Sequence, residues 1–303
     1  MSSLGDAFAL LDAYVEQQMC AANTPGMAIA LTDRDGLLRS STYGYADVAA
    51  QTPVASDTLF EIGSVSKSFT AIALLQLRDA GKLDLHAPVT HYLPWFHVPS
   101  RYQPITLHHL LSHTAGIISG TDFSTEARYE VWALRETEAT APPGTFYHYS
   151  NVGYKVLGVV LEEVLGQSYE QILQERILDP LGMSSTEPVI THETRRQLAL
   201  GYRPYYDDRP SPADQPVAPA TWFETATADG SIASTAADLA TYLRLLIHRG
   251  RGPCGRLISE DSSRLMTRPV IPFPEDEGEP GGFYGYGLDV SDVHEHTVVG
   301  HSG

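Results

Sequence analysis

Residues 60–81 read FEIGSVSKSFTAIALLQLRDAG, a short mixed piece running into a strongly helical one. The helix is expected from Ser64 to about Ala80, with Gly81 stopping it as a C-terminal cap. At its start, Ser64-Val65-Ser66-Lys67 sets a hydroxyl and an amine three residues apart. If Ser64 opens the helix, Lys67 stands one turn on, on the same face and within hydrogen-bond reach. A bare serine is a weak nucleophile and needs a base beside it. Lysine serves only if its proton is destabilised, and moving its pKa from about 10.4 to about 7 costs roughly 4–5 kcal/mol of desolvation or like-charge repulsion. The helix N-terminus would favour an oxyanion at the same place. The plain alternative is a capping serine followed by a solvated lysine. A Ser-x-x-Lys spacing alone does not decide between them.

Upstream, Met27–Thr32 and Leu37–Tyr45 read as two strands joined by Asp33-Arg34-Asp35-Gly36, a hairpin signal. Before them Leu4, Phe8, Leu11, Val15 and Met19 share one helical face, with Ser3 and Asp6 spaced as a capping pair. Downstream the texture becomes short and proline-punctuated, with helices expected at Thr106–Ser112, Val152–Leu165 and Tyr169–Ile177, the last ending before Pro180. Residues 203–219 read as a long surface loop. A helix follows at about Ala236–His248, capped by Ser234 or Thr235, then a polar loop at Pro272–Gly282 and strand-like runs at Tyr286–Val290 and Thr297–Gly300. Strands thus open and close the chain while helices fill its middle. The order predicts an α/β fold with an all-α insertion: an antiparallel sheet built from both ends and flanked by helices, incomplete at the C-terminal edge. The sheet domain is expected to be discontinuous, from residues 1–83 and 225–303, with a mainly helical insertion at 84–224.

The 303 residues are 43% hydrophobic and 19% charged, enough for a buried core. A net charge of −17 repels phosphate backbones and anionic headgroups, which argues against nucleic acid and membrane surfaces as partners. The acidity, including Glu275-Asp276-Glu277-Gly278-Glu279, is read as a solubility feature. No apolar run is long enough for a transmembrane segment, and the first twenty residues lack the basic start of a secretory signal, so a cytoplasmic location is expected, or a periplasmic or secreted one if a leader precedes this sequence. Cys20 and Cys254 are read as inert, packed thiols, and no metal-ligand spacing occurs. Trp95, Trp132 and Trp222 are read as core or pocket-wall packing.

Two further motifs carry chemistry. Tyr149-Ser150-Asn151 precedes a helix, and with only two asparagines in the chain Tyr-Ser-Asn arises by chance in roughly one such sequence in a hundred. A tyrosine hydroxyl near an ammonium becomes more acidic, so Tyr149 and Lys67, if the fold brings them together, could share a proton as one coupled acid/base system. The Asn151 amide can donate to a substrate carbonyl, although a helix-capping role for Asn151 is the bland alternative. His301-Ser302-Gly303 lies at the end of a strand, where a glycine lets a substrate backbone approach.

In this order, Ser-x-x-Lys, Tyr-Ser-Asn and His-x-Gly resemble the penicillin-recognising serine hydrolases, on the side of class C β-lactamases, D-Ala-D-Ala carboxypeptidases and β-lactamase-like esterases. The resemblance covers nearly the whole chain. Leu110-Leu111-Ser112-His113-Thr114-Ala115-Gly116, Pro180-Leu181-Gly182-Met183 and Asp229-Gly230-Ser231-Ile232-Ala233-Ser234-Thr235 look like further family signatures. It implies a β-lactamase/transpeptidase-like fold with Ser64 acylated, Lys67 sharing its proton and Tyr149 as general acid/base. Asn151, His301 and Gly303 would bind substrate, with no metal or organic cofactor. The partner would be a small molecule or short peptide: a small ester, a D-amino-acid peptide or a β-lactam. Oligomeric state is left open. His301 stands where many relatives carry lysine, which favours an esterase or peptidase over a true β-lactamase. The family takes its second oxyanion donor from the residue after the third motif's glycine, so a sequence ending at Gly303 is expected to be C-terminally shortened. A non-catalytic binding or sensing module is the alternative that this expectation raises.

Overall fold

The computed structural model describes residues 4–121, 126–206, 208, 215–274 and 281–303. Helix α1 (Leu4–Ala22) turns Phe8, Leu11, Val15 and Met19 inward and leaves Leu4 exposed. Asp12 on α1 accepts both of its 2.6 Å contacts from Arg39, fastening the helix to the strands behind it. Ser3, the expected cap, lies outside the described residues. Strands β1 (Gly26–Thr32) and β2 (Leu37–Asp47) form the expected hairpin, its turn closed by Asp33 Oδ1 accepting the N–H groups of Asp35 and Gly36. β3 (Thr52–Pro53) adds a third strand.

After β4 (Phe60–Glu61) the chain makes a 3₁₀ turn at Gly63–Val65 and only then enters α2 (Ser66–Asp79). Ser64 therefore sits in the tight turn ahead of the α-helix, a correction to its expected place as first helical residue. The turn needs a positive φ of 48° at Gly63, which glycine adopts at little steric cost. From Phe69 to Leu75 α2 is fully buried, as its apolar residues on every side require. Gly81, at φ +67°, ends it as expected.

The middle of the chain is helical: α3 (Val89–Tyr92), α4 (Leu107–Leu111), α5 (Ala127–Ala133), α6 (Asn151–Leu165), α7 (Tyr169–Leu173), a π-helical turn at Gln174–Leu178, and α8 (Asp179–Leu181). The expected stop before Pro180 does not occur. Pro180 falls in the first turn of α8, where a missing N–H costs little, and Gly182 ends the run. Within the segment expected as loop at 203–219, β5 (Tyr202–Pro204) pairs with β6 (Val217–Pro219).

β7 (Ala233–Ser234) pairs with β4, and α9 (Ala236–Ile247) follows, capped by Thr235. Then come β8 (Arg251–Gly252), β9 (Gly255–Arg256), α10 (Glu260–Met266), β10 (Ile271–Pro272), β11 (Phe283–Tyr284), β12 (Asp289–Val293) and β13 (His296–Gly300). The strand expected at Tyr286–Val290 starts late because Gly287, at φ +69°, turns the chain over the Lys67 carbonyl, where a Cβ would come within 2.8 Å. The stretch Glu275–Glu279 lies outside the described residues.

Every ladder between named strands is antiparallel. Among the described residues no ladder joins the two ends of the chain: β1-β2-β3 and β10-β11-β12-β13 are separate, with α9 packed on β1 and β2. Both cysteines are free but exposed, against the expectation of packed thiols, and Trp132 is exposed as well. Among the described residues no helix is long and apolar enough to cross a membrane.

Candidate functional site

Lys67 Nζ lies 2.8 Å from Ser64 Oγ and 2.8 Å from the main-chain oxygen of Asp229. The turn-to-helix junction sets the first distance, and the segment leading to β7 supplies the second. The junction is pinned from outside: Ser66 Oγ accepts the Ile232 N–H, while Ser68 Oγ donates to Val65 O and accepts from Tyr242. Lys67 has no solvent exposure, and its nitrogen sits 4.9 Å from the centre of the Tyr149 ring and 5.7 Å from that of Tyr154. Ser64, Lys67 and Tyr149 are thus gathered from two distant stretches of chain.

Tyr149 is held by its neighbours. Fully buried His113 accepts the Ser150 N–H on Nδ1 at 3.0 Å, and its ring lies 4.2 Å from that of Tyr149. Burial pushes the His113 imidazole well below its ordinary range, so it stays neutral with its proton on Nε2. Ser150, and not Asn151, caps α6: its Oγ accepts the Gly153 N–H and donates to Ile118 O. Asn151 is left to line a cavity as the first residue of α6. His113→Ala should cost about 2–4 kcal/mol in urea denaturation, from the emptied volume and the orphaned Ser150 N–H.

His301 follows β13 with Nε2 3.0 Å from the Tyr284 hydroxyl, and burial pushes its pKa down to about 4. Near pH 7 it is a neutral imidazole. Gly303 is packed so closely on the turn that a Cβ would overlap the Ile62 carbonyl oxygen, and a Cβ on Gly63 would lie 2.9 Å from the Gly303 carbonyl carbon.

Two cavities meet at Ser64, Tyr149 and Gly303. One, of about 420 Å³, is also lined by Tyr147, Phe273, Asp289 and His301. The other, of about 500 Å³, is also lined by Glu61, Asn151, Ile190, Trp222, Phe223 and Asp229. Of the six residues singled out in sequence, all line one cavity or both except Lys67, which lies beneath Ser64.

The motifs did not point to Asp289, or to Lys155 and Glu130 beneath the site. Lys155 Nζ, buried on α6, donates to Glu130 Oε2 at 2.6 Å and to Thr121 O, and lies 3.9 Å from Asp229 Oδ2. Burial pushes the Asp229 carboxyl up, opposed by the charges of Lys155 and Lys67. The signal was present: Lys155 is the one charge in the otherwise apolar run from Val152 to Leu161, so it required a tertiary partner. Lys155→Met leaves two carboxylates in low dielectric without their cation. We expect a loss of about 3–5 kcal/mol in thermal or chemical denaturation, partly restored by adding Glu130→Gln.

Comparison with known proteins places the chain by sequence and by fold. The sequence is 32% identical over 260 residues to penicillin-binding protein 4 of Amycolatopsis lactamdurans, covering 82% of this chain and 66% of the relative. It is 30% identical over 201 residues to the protein flp of Staphylococcus aureus (strain MW2), covering 63% of this chain and 40% of the relative. The chain therefore spans less than two thirds of these curated relatives. An octameric penicillin-binding protein homologue from Pyrococcus abyssi superposes with a TM-score of 0.86 at 30% identity, over 97% of this chain and 67% of that one. EstCE1, a hydrolase with promiscuous acyltransferase activity, shares the fold at a TM-score of 0.79 and 23% identity, over 95% of this chain and 84% of its own. The β-lactamase family model matches residues 11–303, and on that match, with the fold it shares with penicillin-binding protein homologues, the chain belongs to the β-lactamase family.

Proposed function

We propose that this chain is a serine hydrolase that cleaves a small ester or amide through an acyl-enzyme on Ser64. The observation that carries the reading is a fully buried amine 2.8 Å from the Ser64 hydroxyl. Burial disfavours the ammonium form, and the discharged amine takes the Ser64 proton as Oγ adds to the substrate carbonyl carbon. The Ser64 N–H steadies the oxyanion at the head of α2. Tyr149 passes a proton to the departing alcohol or amine as its bond to the acyl carbon breaks. Water then adds to the Ser64 ester, its proton going to the Tyr149–Lys67 pair, and the acid leaves with Oγ reprotonated. Asn151 donates to the substrate amide or ester carbonyl. His301, neutral near pH 7, offers no fixed charge for a carboxylate, which favours esters and peptides over penicillins.

The test is multiple turnover of a p-nitrophenyl ester together with labelling by a fluorophosphonate. Sustained release with one label per chain supports the reading. Stoichiometric acylation without release would instead support a binding or sensing module.

A further inference from the structure

The cavity of about 420 Å³ beside Ser64 is aromatic and acidic in its lining. Three aromatic rings, Tyr147, Tyr149 and Phe273, bound it with the carboxylate of Asp289. Tyr147 and Phe273 meet edge to face with centroids 5.1 Å apart, so the aromatic wall is built across two distant segments. Asp289 opens β12, paired with Gly300 just before His301. No hydrogen bond or ion pair to its side chain occurs among the described residues. Among the described residues no lysine or arginine lines the cavity; the Lys67 amine lies beneath Ser64, 4.9 Å from the centre of the Tyr149 ring. Aromatic faces attract cations through their quadrupoles, and an adjoining carboxylate adds direct attraction. A substrate carboxylate would meet repulsion here. The second cavity carries Glu61 and Asp229 and, among the described residues, no basic side chain.

We propose that the cavity bounded by Tyr147, Tyr149, Phe273 and Asp289 takes an ammonium group of the substrate, so that the ester or amide turned over at Ser64 is an amine-bearing one. The assignment rests on the hydrolase reading for its second half and on the lining alone for its first. Burial raises the Asp289 carboxyl to about 6, so it is ionised above that pH and neutral below it. Among the described residues the titratable groups around it are Tyr147, Tyr149 and Tyr284 together with His301, whose pKa of about 4 keeps it uncharged across the same window. The preference for a cation is therefore present above pH 6 and fades below it.

Two measurements on the full chain test this. In the first, kcat/KM is compared for three p-nitrophenyl esters of equal acyl length ending in trimethylammonium, tert-butyl or carboxylate. The cationic ester should exceed the neutral one by about tenfold or more at pH 7.5, with the carboxylate slowest. Asp289→Asn should remove most of that ratio and Asp289→Glu should keep it, each read within one protein so that a folding loss cannot imitate the effect. In the second, benzyltrimethylammonium is titrated by calorimetry into the wild-type and Asp289→Asn proteins, a readout independent of hydrolysis. Equal rates for all three esters overturn the cation site and leave the hydrolase standing. Asp289-dependent binding without turnover of any ester keeps the site and overturns the hydrolase. Neither binding nor turnover overturns both.

Discussion

Ser64→Ala is expected to reduce ester hydrolysis by about 10⁴-fold or more, to the background of the buffer. The size follows from the role: removing Oγ removes the atom that forms the covalent bond, and no neighbouring group can replace it. Ser66 Oγ is committed to the Ile232 N–H, and Ser68 Oγ lies between Val65 O and Tyr242. The substitution deletes one hydrogen bond from Lys67 and leaves the apolar packing of α2 untouched, so the melting temperature should hold within a few degrees. The check is kcat/KM for a p-nitrophenyl ester beside a thermal melt. An active, folded Ser64→Ala protein would refute the nucleophile.

Lys67→Met is expected to lower the acylation rate by about 10²–10⁴-fold, the usual worth of a positioned proton acceptor. Lys67→Arg should be nearly as inactive. Arginine keeps the charge but holds its proton, so the pair separates proton transfer from electrostatic support. Stability should move differently. Lys67 has no solvent exposure and donates to Ser64 Oγ and Asp229 O, so replacing it with an apolar side chain of similar volume lifts the cost of burying a polar amine while orphaning the Asp229 carbonyl. A melting temperature for Lys67→Met equal to or above wild type, with activity largely gone, marks a residue retained for chemistry. If Lys67→Arg instead restored most of the rate, the proton-acceptor role would be wrong.

That Ser64, Lys67 and Tyr149 lie together was legible because the motifs that carry them are local or chemically rare. Ser64 and Lys67 are separated by one helical turn, and their proximity follows from helix geometry even though Ser64 proved to lie in the preceding 3₁₀ turn. Tyr149-Ser150-Asn151 was visible by composition, although its cap belongs to Ser150 and its anchor, His113, lies 37 residues away. The groups around the triad were not readable in that way. Asp229 reaches Lys67 through its main-chain oxygen, across 162 residues of sequence, and any residue type offers that atom. Asp289 faces the cavity only because Gly287 bends the chain and delays the strand. A period-two pattern contains no term for such a bend. The antiparallel strands flanked by helices were legible, whereas which strands join across the two chain ends was not, because strand propensity says which residues pair and tertiary packing says with whom. Lys155 is the instructive middle case, a charge on an apolar helix that announces a partner without naming it.

Intact-protein mass spectrometry at short times after mixing with an activated ester measures the acyl-enzyme directly. Wild type is predicted to gain one acyl group, mapped to Ser64 by peptide analysis, and then to lose it as turnover proceeds, while Ser64→Ala gains none. Turnover with no adduct on Ser64, or an adduct on another residue that persists in Ser64→Ala, would contradict the account.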